Sequence, residues 1–232
     1  MQKIGIIGAM DIEVNTLKEL IRTEKEVTKA GMTFCEGVLE GKNVVVVKCG
    51  VGKVNAAMCV QILADLFGVT HVLNTGVAGS LNAKLDIGDI LVSTDAVIHD
   101  MDVTALGYKP GQNPDFENVE FKADSAMARC AMTACKAVNP DISVMEGRVV
   151  SGDIFVNNAE LKDRLVSEFH GDCAEMEGAS IAQAAWLNGL PFLILRAISD
   201  KADNSSHMDY PTFEKKAAEH CARLVQEFVR TF

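Results

Sequence analysis

Positive charge is scarce in this sequence: 22 Lys and Arg stand against 32 Asp and Glu in 232 residues, a formal net charge of −10. A chain this acidic has no broad basic footprint for a phosphate backbone, so nucleic acid as a polymer is not an expected partner. Long apolar runs are missing too. None approaches the roughly 18–20 residues that cross a bilayer, and Ile4–Ile7 ahead of Gly8 is too short for the core of a signal peptide. A soluble, cytoplasmic protein with no membrane partner is expected. Seven cysteines, at 35, 49, 59, 130, 135, 173 and 221, are an odd number without one CxxC. They read as buried reduced thiols rather than a disulfide frame or a zinc site. The five histidines form no HxxxH or HxH cluster, so no metal is expected. Gly50-x-Gly52 is followed by Asn55 where a dinucleotide fingerprint needs glycine, and Gly52-Lys53 lacks the rest of a Walker motif. No GxSxG elbow is present. Nucleotide cofactors and a hydrolase serine are therefore disfavoured, and no cofactor is expected.

What is present fits one globular unit. The composition is 48% apolar and 23% charged, and the length suffices for a full core. Short β-rich runs at Ile4–Ile7, Val44–Val47, His71–Leu73, Ile90–Ser93, Ile142–Val150 and Phe192–Ile198 alternate mostly with helical spacing, the pattern of an α/β sheet. A hairpin joining Met32–Leu39 to Asn43–Lys48 through Glu40-Gly41-Lys42 makes that sheet mixed. Val54, Met58, Ile62 and Leu66 form one four-residue stripe; Phe213, Ala217, Cys221, Leu224 and Phe228 form another on a C-terminal helix opened by Pro211. Both stripes predict helices packed on the sheet. Residues 99–121, with Pro110 and Pro114, are irregular and long enough for a functional loop. With no repeat, linker or low-complexity tract, 1–232 reads as a single domain.

Ligands of open α/β sheets bind beyond the carboxyl ends of the strands. The runs here lead into Gly8-Ala9-Met10-Asp11-Ile12-Glu13, Cys49-Gly50-Val51-Gly52, Asn74-Thr75-Gly76-Val77-Ala78-Gly79 and Ser199-Asp200. Glycines there can merely turn the chain, but three glycine loops and two carboxylates at equivalent ends point to a site. Glu175-Met176-Glu177 opens a segment apolar on nearly every face; its carboxylates form either a solvated first turn or a buried, partnered site. Arg196 interrupts an apolar strand, as a structural ion pair with one of these glutamates or as a functional group. His99-Asp100 and His207 read as loop anchors.

Together the strings IGIIGAMDIEV, CGVGKVNAA, NTGVAGS, HDMDVTALGY, SGDIFVNN, EMEGASIA and RAISDKAD resemble, in order and spacing, the motifs of 5′-methylthioadenosine/S-adenosylhomocysteine nucleosidases, from Lys3 to about Tyr210. The resemblance implies a nucleoside phosphorylase-like three-layer α/β/α sandwich around a mixed sheet. It implies hydrolysis of the N-glycosidic bond of 5′-methylthioadenosine and S-adenosylhomocysteine, with 5′-deoxyadenosine a further substrate, in methionine salvage. By the same resemblance Glu13 is the base that activates water, and Asp200 the acid that protonates the purine. Glu177 bonds the ribose hydroxyls beside Met176, Phe155 and Val156 hold adenine, and Ala78 and Gly79 line sugar and base. Arg196 and Ser199 place water and Asp200. Met10, Val51 and Tyr210 complete the substrate pocket, with Tyr210 over the 5′ end. Leu106 and Tyr108 reach a partner subunit's site in an expected homodimer.

The roles suit the chemistry, since cleavage through an oxocarbenium-like sugar needs an acid on the leaving base and a carboxylate holding water opposite. An acid at Asp200 calls for surroundings that favour its protonated form. Asp11 and Glu13 in the first glycine loop would repel phosphate, which favours water over a phosphorylase's nucleophile. Val77, where many relatives have Ser, Ser80, where Gly is common, and Leu106, in place of an aromatic, depart from the family pattern. A nucleosidase for futalosine or another 5′-modified nucleoside, a nucleoside phosphorylase and a catalytically inert nucleoside sensor are the competing readings.

Overall fold

The computed structural model describes residues 2–232; the side chains of His207 and Met208, and with them any anchoring by His207, lie outside the described residues. In chain order the elements are β1 (Lys3–Gly8), α1 (Asp11–Leu20), β2 (Arg22–Lys29), β3 (Met32–Leu39), β4 (Lys42–Lys48), α2 (Lys53–Ile62), β5 (His71–Ser80), β6 (Ile90–Ile98), β7 (Glu120–Lys122), α3 (Ser125–Val138), β8 (Val144–Ser151), α4 (Ala159–Phe169), β9 (Cys173–Glu175), α5 (Gly178–Leu187), β10 (Phe192–Asp200) and α6 (Ser206–Thr231). The apolar runs become strands because β-branched side chains pack on both faces of a covered sheet.

Strands β4, β1, β5 and β10 run parallel, side by side, and β2-β3-β4 extend one edge antiparallel. Beyond β10 the sheet continues antiparallel to β6 and then parallel to β8. Short β9 pairs with β8 on one side and with Gly79–Ser80 of β5 on the other, so β5, β10, β6, β8 and β9 close on one another. One face is covered by α2 and α5 through Ala56, Cys59, Val60, Ile181 and Ala185. The other is covered by α1, α3 and α6 through Leu17, Met127, Ala131, Leu224 and Phe228. This is the three-layer α/β/α sandwich around a mixed sheet that the sequence implies.

Three details differ from the sequence reading. Of the stripe Val54, Met58, Ile62 and Leu66, Val54, Met58 and Leu66 face outward, with Val54 71% exposed, and Ile62 alone is partly buried against the core, whereas Ala56, Cys59, Val60 and Leu63 face the sheet. Small side chains let α2 sit close to α5, and the larger ones are turned away. Pro211 lies inside α6, which begins at Ser206; the Ser205 hydroxyl, with the carboxylates of Asp203 and Asp209 both within reach of its one hydrogen, secures the turn ahead of it. Strand β2 has no apolar run and forms because β3 offers its edge.

Candidate active site

At the end of β1 the chain turns directly into α1, which places Glu13 at the third helical position. There it reaches back: Oε2 accepts from the backbone N–H of Ala9 (2.6 Å) and Met10 (3.0 Å), and Oε1 accepts from Val77 N (3.1 Å). A carboxylate in this place also meets the positive end of the helix dipole. Burial pushes its carboxyl up, while Arg196 and the three N–H donors pull the other way. The result is a rigid, desolvated carboxylate suited to taking a proton. Gly76 makes room for it, since a Cβ at 76 would stand 2.5 Å from Oε1. Asp11, by contrast, is exposed and paired with Lys48 at 2.7 Å, so of the two early carboxylates only Glu13 turns inward.

Asp200 is the last residue of β10 and is buried. Its Oδ1 accepts from Ala202 N (2.8 Å) and Ser206 Oγ (2.7 Å), and its Oδ2 from Ser199 Oγ (2.9 Å). Gly79 gives way here as Gly76 does for Glu13: a Cβ at 79 would meet Oδ1 at 2.8 Å. The glycines of Asn74–Gly79 are thus strand residues of β5 rather than a loop. Val77 and Gly79, which touch the two carboxylates, are two residues apart on one strand, or roughly 6.6 Å at strand rise. The carboxylates therefore bracket a short stretch of sheet edge.

Between them opens a cavity of about 210 Å³ lined by Met10, Glu13, Val51, Ala78, Gly79, Phe155, Met176, Glu177, Ser199, Asp200 and Tyr210 among others. Val156 lines a smaller contiguous recess with Phe155, Gly79 and Asp200. Glu177, just ahead of α5, accepts from Gly52 N at 2.7 Å. Burial, aided by the neighbouring Glu175 charge, pushes its carboxyl up to about 8. Tyr210 sits over the opening; its hydroxyl contacts Met10 Sδ at 3.2 Å and its ring meets the edge of Phe155 with centroids 5.7 Å apart. The Phe155 ring remains 44% exposed, a free face for a planar ligand.

Arg196 is not part of this lining. Its guanidinium lies beneath the floor, 2% exposed, bonded to Glu175, the side chain of Asn74 and the Leu195 carbonyl. Glu175 is itself held by Ser151 Oγ and the N–H groups of Glu177 and Gly178. Both glutamates are buried, so neither forms a solvated turn. Leu106 (74% exposed) and Tyr108 also stand outside the cavity of their own chain. Ala9, Ala174 and Glu175 are lining residues that the sequence reading did not assign; the EME string carried a signal for Glu175. Ser80 is turned away from the cavity, donating to the Asn82 carbonyl at 2.8 Å with the Leu85 carbonyl a second acceptor at 3.2 Å. Among the described residues no group of His, Cys, Asp and Glu is placed to hold a metal ion, and no helix is long and apolar enough to cross a membrane. All seven cysteines are free.

Glu13 just beyond the end of β1 and Asp200 at the end of β10, with Glu177 and the Phe155 ring in the same lining, present buried carboxyl groups and a planar apolar face to one cavity. The family model described as Phosphorylase superfamily matches residues 3–230, and that superfamily is the class of the chain. A nucleosidase for 5′-methylthioadenosine and S-adenosylhomocysteine from Anoxybacillus flavithermus is 42% identical over 97% of each chain. The Neisseria meningitidis enzyme of that name, solved with methylthio-immucillin-A, superposes with TM-score 0.96 at 36% identity over the full length of both chains. The chain belongs to the 5′-methylthioadenosine/S-adenosylhomocysteine nucleosidase family. A futalosine hydrolase of Helicobacter pylori is also similar, with TM-score 0.94 at 35% identity, covering 100% of this chain and 98% of its own.

Proposed function

We propose that this protein hydrolyses the N-glycosidic bond of 5′-methylthioadenosine and S-adenosylhomocysteine, releasing adenine and the 5′-thio-substituted ribose. The observation that carries the reading is the pairing of Glu13 and Asp200 across one apolar cavity whose described lining includes no Lys, Arg or His. A phosphate nucleophile would meet the Glu13 carboxylate with no cation in the cavity lining to bind it, whereas water needs only an acceptor for its proton. Glu13 takes that proton as the water oxygen bonds the anomeric carbon. The C–N bond pair leaves with the base, and Asp200 supplies the proton that makes adenine neutral. Glu177 holds the ribose hydroxyls, Phe155 stacks on the base, Val156 reads its edge, and Met10 and Tyr210 enclose the 5′ substituent.

The working unit is a homodimer of single-domain chains in the cytoplasm. Val51, Val54, Met58 and Ile154 leave apolar surface exposed around the mouth and along α2, the kind of patch that a partner covers. Leu106 and Tyr108 are likewise exposed and free to reach a partner's cavity. Seven free thiols suit a reducing compartment. Product analysis on 5′-methylthioadenosine, S-adenosylhomocysteine and futalosine, with and without phosphate, tests the reading. It predicts free methylthioribose and adenine at a rate independent of phosphate. Sugar phosphate as product, or turnover confined to futalosine, overturns it.

A further inference from the structure

The first residue of α6 is hydrogen-bonded to Asp200. Ser206 is wholly buried. Its hydroxyl oxygen accepts from Asp203 N at 2.9 Å and donates to Asp200 Oδ1 at 2.7 Å. The same Oδ1 receives Ala202 N–H at 2.8 Å. Ala202 is also wholly buried and has φ of 50°, a left-handed conformation that a residue with a Cβ adopts only at a cost. The turn between β10 and α6 is thus bent so that two donors converge on one carboxyl oxygen. Among the described residues the other oxygen, Oδ2, has a single protein donor, Ser199 Oγ, and that hydroxyl has a second acceptor within reach, the Ala78 carbonyl at 3.4 Å.

Two donors on Oδ1 leave no place there for a carboxyl proton, because a protonated oxygen would set hydrogens against hydrogens. Oδ2 has that freedom: when it is protonated, Ser199 turns its hydrogen to the Ala78 carbonyl, and when it is ionised Ser199 turns back. We propose that Ser206 is a positioning residue for the general acid. With Ala202 N–H it commits Oδ1 to the protein, so that Oδ2 alone carries the proton to the departing base. The proton passes from Oδ2 to a ring nitrogen as the C–N bond breaks with its electron pair on the base, leaving Asp200 ionised with all three donors satisfied. Ser206 begins the helix that carries Tyr210, so the helix whose first residue holds the acid also places a ring in the cavity lining. The inference rests on the reading of Asp200 as the acid.

The test compares two leaving groups on one sugar in the full-length protein: 5′-methylthioadenosine, whose base needs a proton, and p-nitrophenyl 5-methylthioriboside, whose p-nitrophenolate leaves without one. The ratio of the two rates does not depend on the fraction of protein folded. Ser206→Ala is expected to lower kcat for the nucleoside by about 10- to 100-fold, the range a single charge-assisted hydrogen bond supports, with KM within about threefold. Its loss on the p-nitrophenyl riboside should be at least about tenfold smaller. Ser206→Thr, which keeps the hydroxyl, should restore most of the ratio. Equal losses on both substrates, or a nucleoside rate within about threefold of wild type, overturn the proposal. Asp200→Asn run in parallel keeps the two readings apart: near-normal adenine release in that variant removes the acid itself, whereas a dead Asp200→Asn beside an active Ser206→Ala removes only the role of Ser206.

Discussion

Replacing Arg196 by Met leaves the Glu175 carboxylate, with a side chain 3% exposed, without its cation. Removing one partner of a buried pair typically costs about 3–5 kcal/mol. Glu175 keeps its bonds from Ser151 Oγ and from the N–H groups of Glu177 and Gly178, so the lower end, about 3 kcal/mol, is the expected loss. For a chain of this size that corresponds to roughly 6–12 °C in Tm. Urea unfolding of the four members of a cycle, wild type, Arg196→Met, Glu175→Gln and the double variant, measures it. The double variant should lie above Arg196→Met, because the stranded charge has gone. The substitution has a second consequence, since the Arg196 charge is the largest influence opposing the upward push of burial on Glu13. Without it Glu13 ionises at higher pH, and the acidic limb of kcat/KM moves up. A stability loss below about 1 kcal/mol together with an unmoved acidic limb would refute this account of the cavity floor.

Glu177 ionises at about 8 in the folded protein against an ordinary 4.5. Between those values the unfolded chain has already released its proton, so stability falls as pH rises from about 4.5 to 8. Tm measured over that window should slope downward and the slope should flatten in Glu177→Gln; parallel slopes contradict the burial argument. Gly76→Ala sets a Cβ 2.5 Å from Glu13 Oε1 and 3.0 Å from Arg196 Nη1. A misplaced base of this kind should cost about 100-fold in kcat, and an adenine-release rate within about threefold of wild type shows that Glu13 tolerates displacement. Phe155→Ala removes the exposed ring; base stacking is worth about 1–3 kcal/mol, so KM for methylthioadenosine should rise by roughly 5- to 150-fold, and an unchanged KM places the base elsewhere.

The strands that build the site were legible because each ends an apolar run in residues that a core does not need: Gly8 ahead of Glu13, Gly76 and Gly79 on β5, Asp200 on β10. What those glycines do was less legible. They are not turns but gaps in a continuous strand, filled by Glu13 and Asp200 from neighbouring elements, and a contact of that kind leaves no local pattern. The α2 stripe misled for a related reason, since periodicity shows that a face is apolar and not which side it meets. Small Ala56 and Cys59 packed inward, leaving Val54 and Met58 outside. Arg196 was legible as an anomaly in an apolar strand, and the ion pair with Glu175 that resolves it spans 21 residues. Strand β2, charged along its length, had no signal of its own.

Adenine released from 5′-methylthioadenosine in phosphate-free buffer, measured for the wild type beside Glu13→Gln and Asp200→Asn, bears most directly on the central claim. The account predicts steady turnover by the wild type and losses of several orders of magnitude in both variants, each still folded by circular dichroism. A wild type that releases no adenine until phosphate is added, or a variant that keeps near-normal turnover, contradicts it.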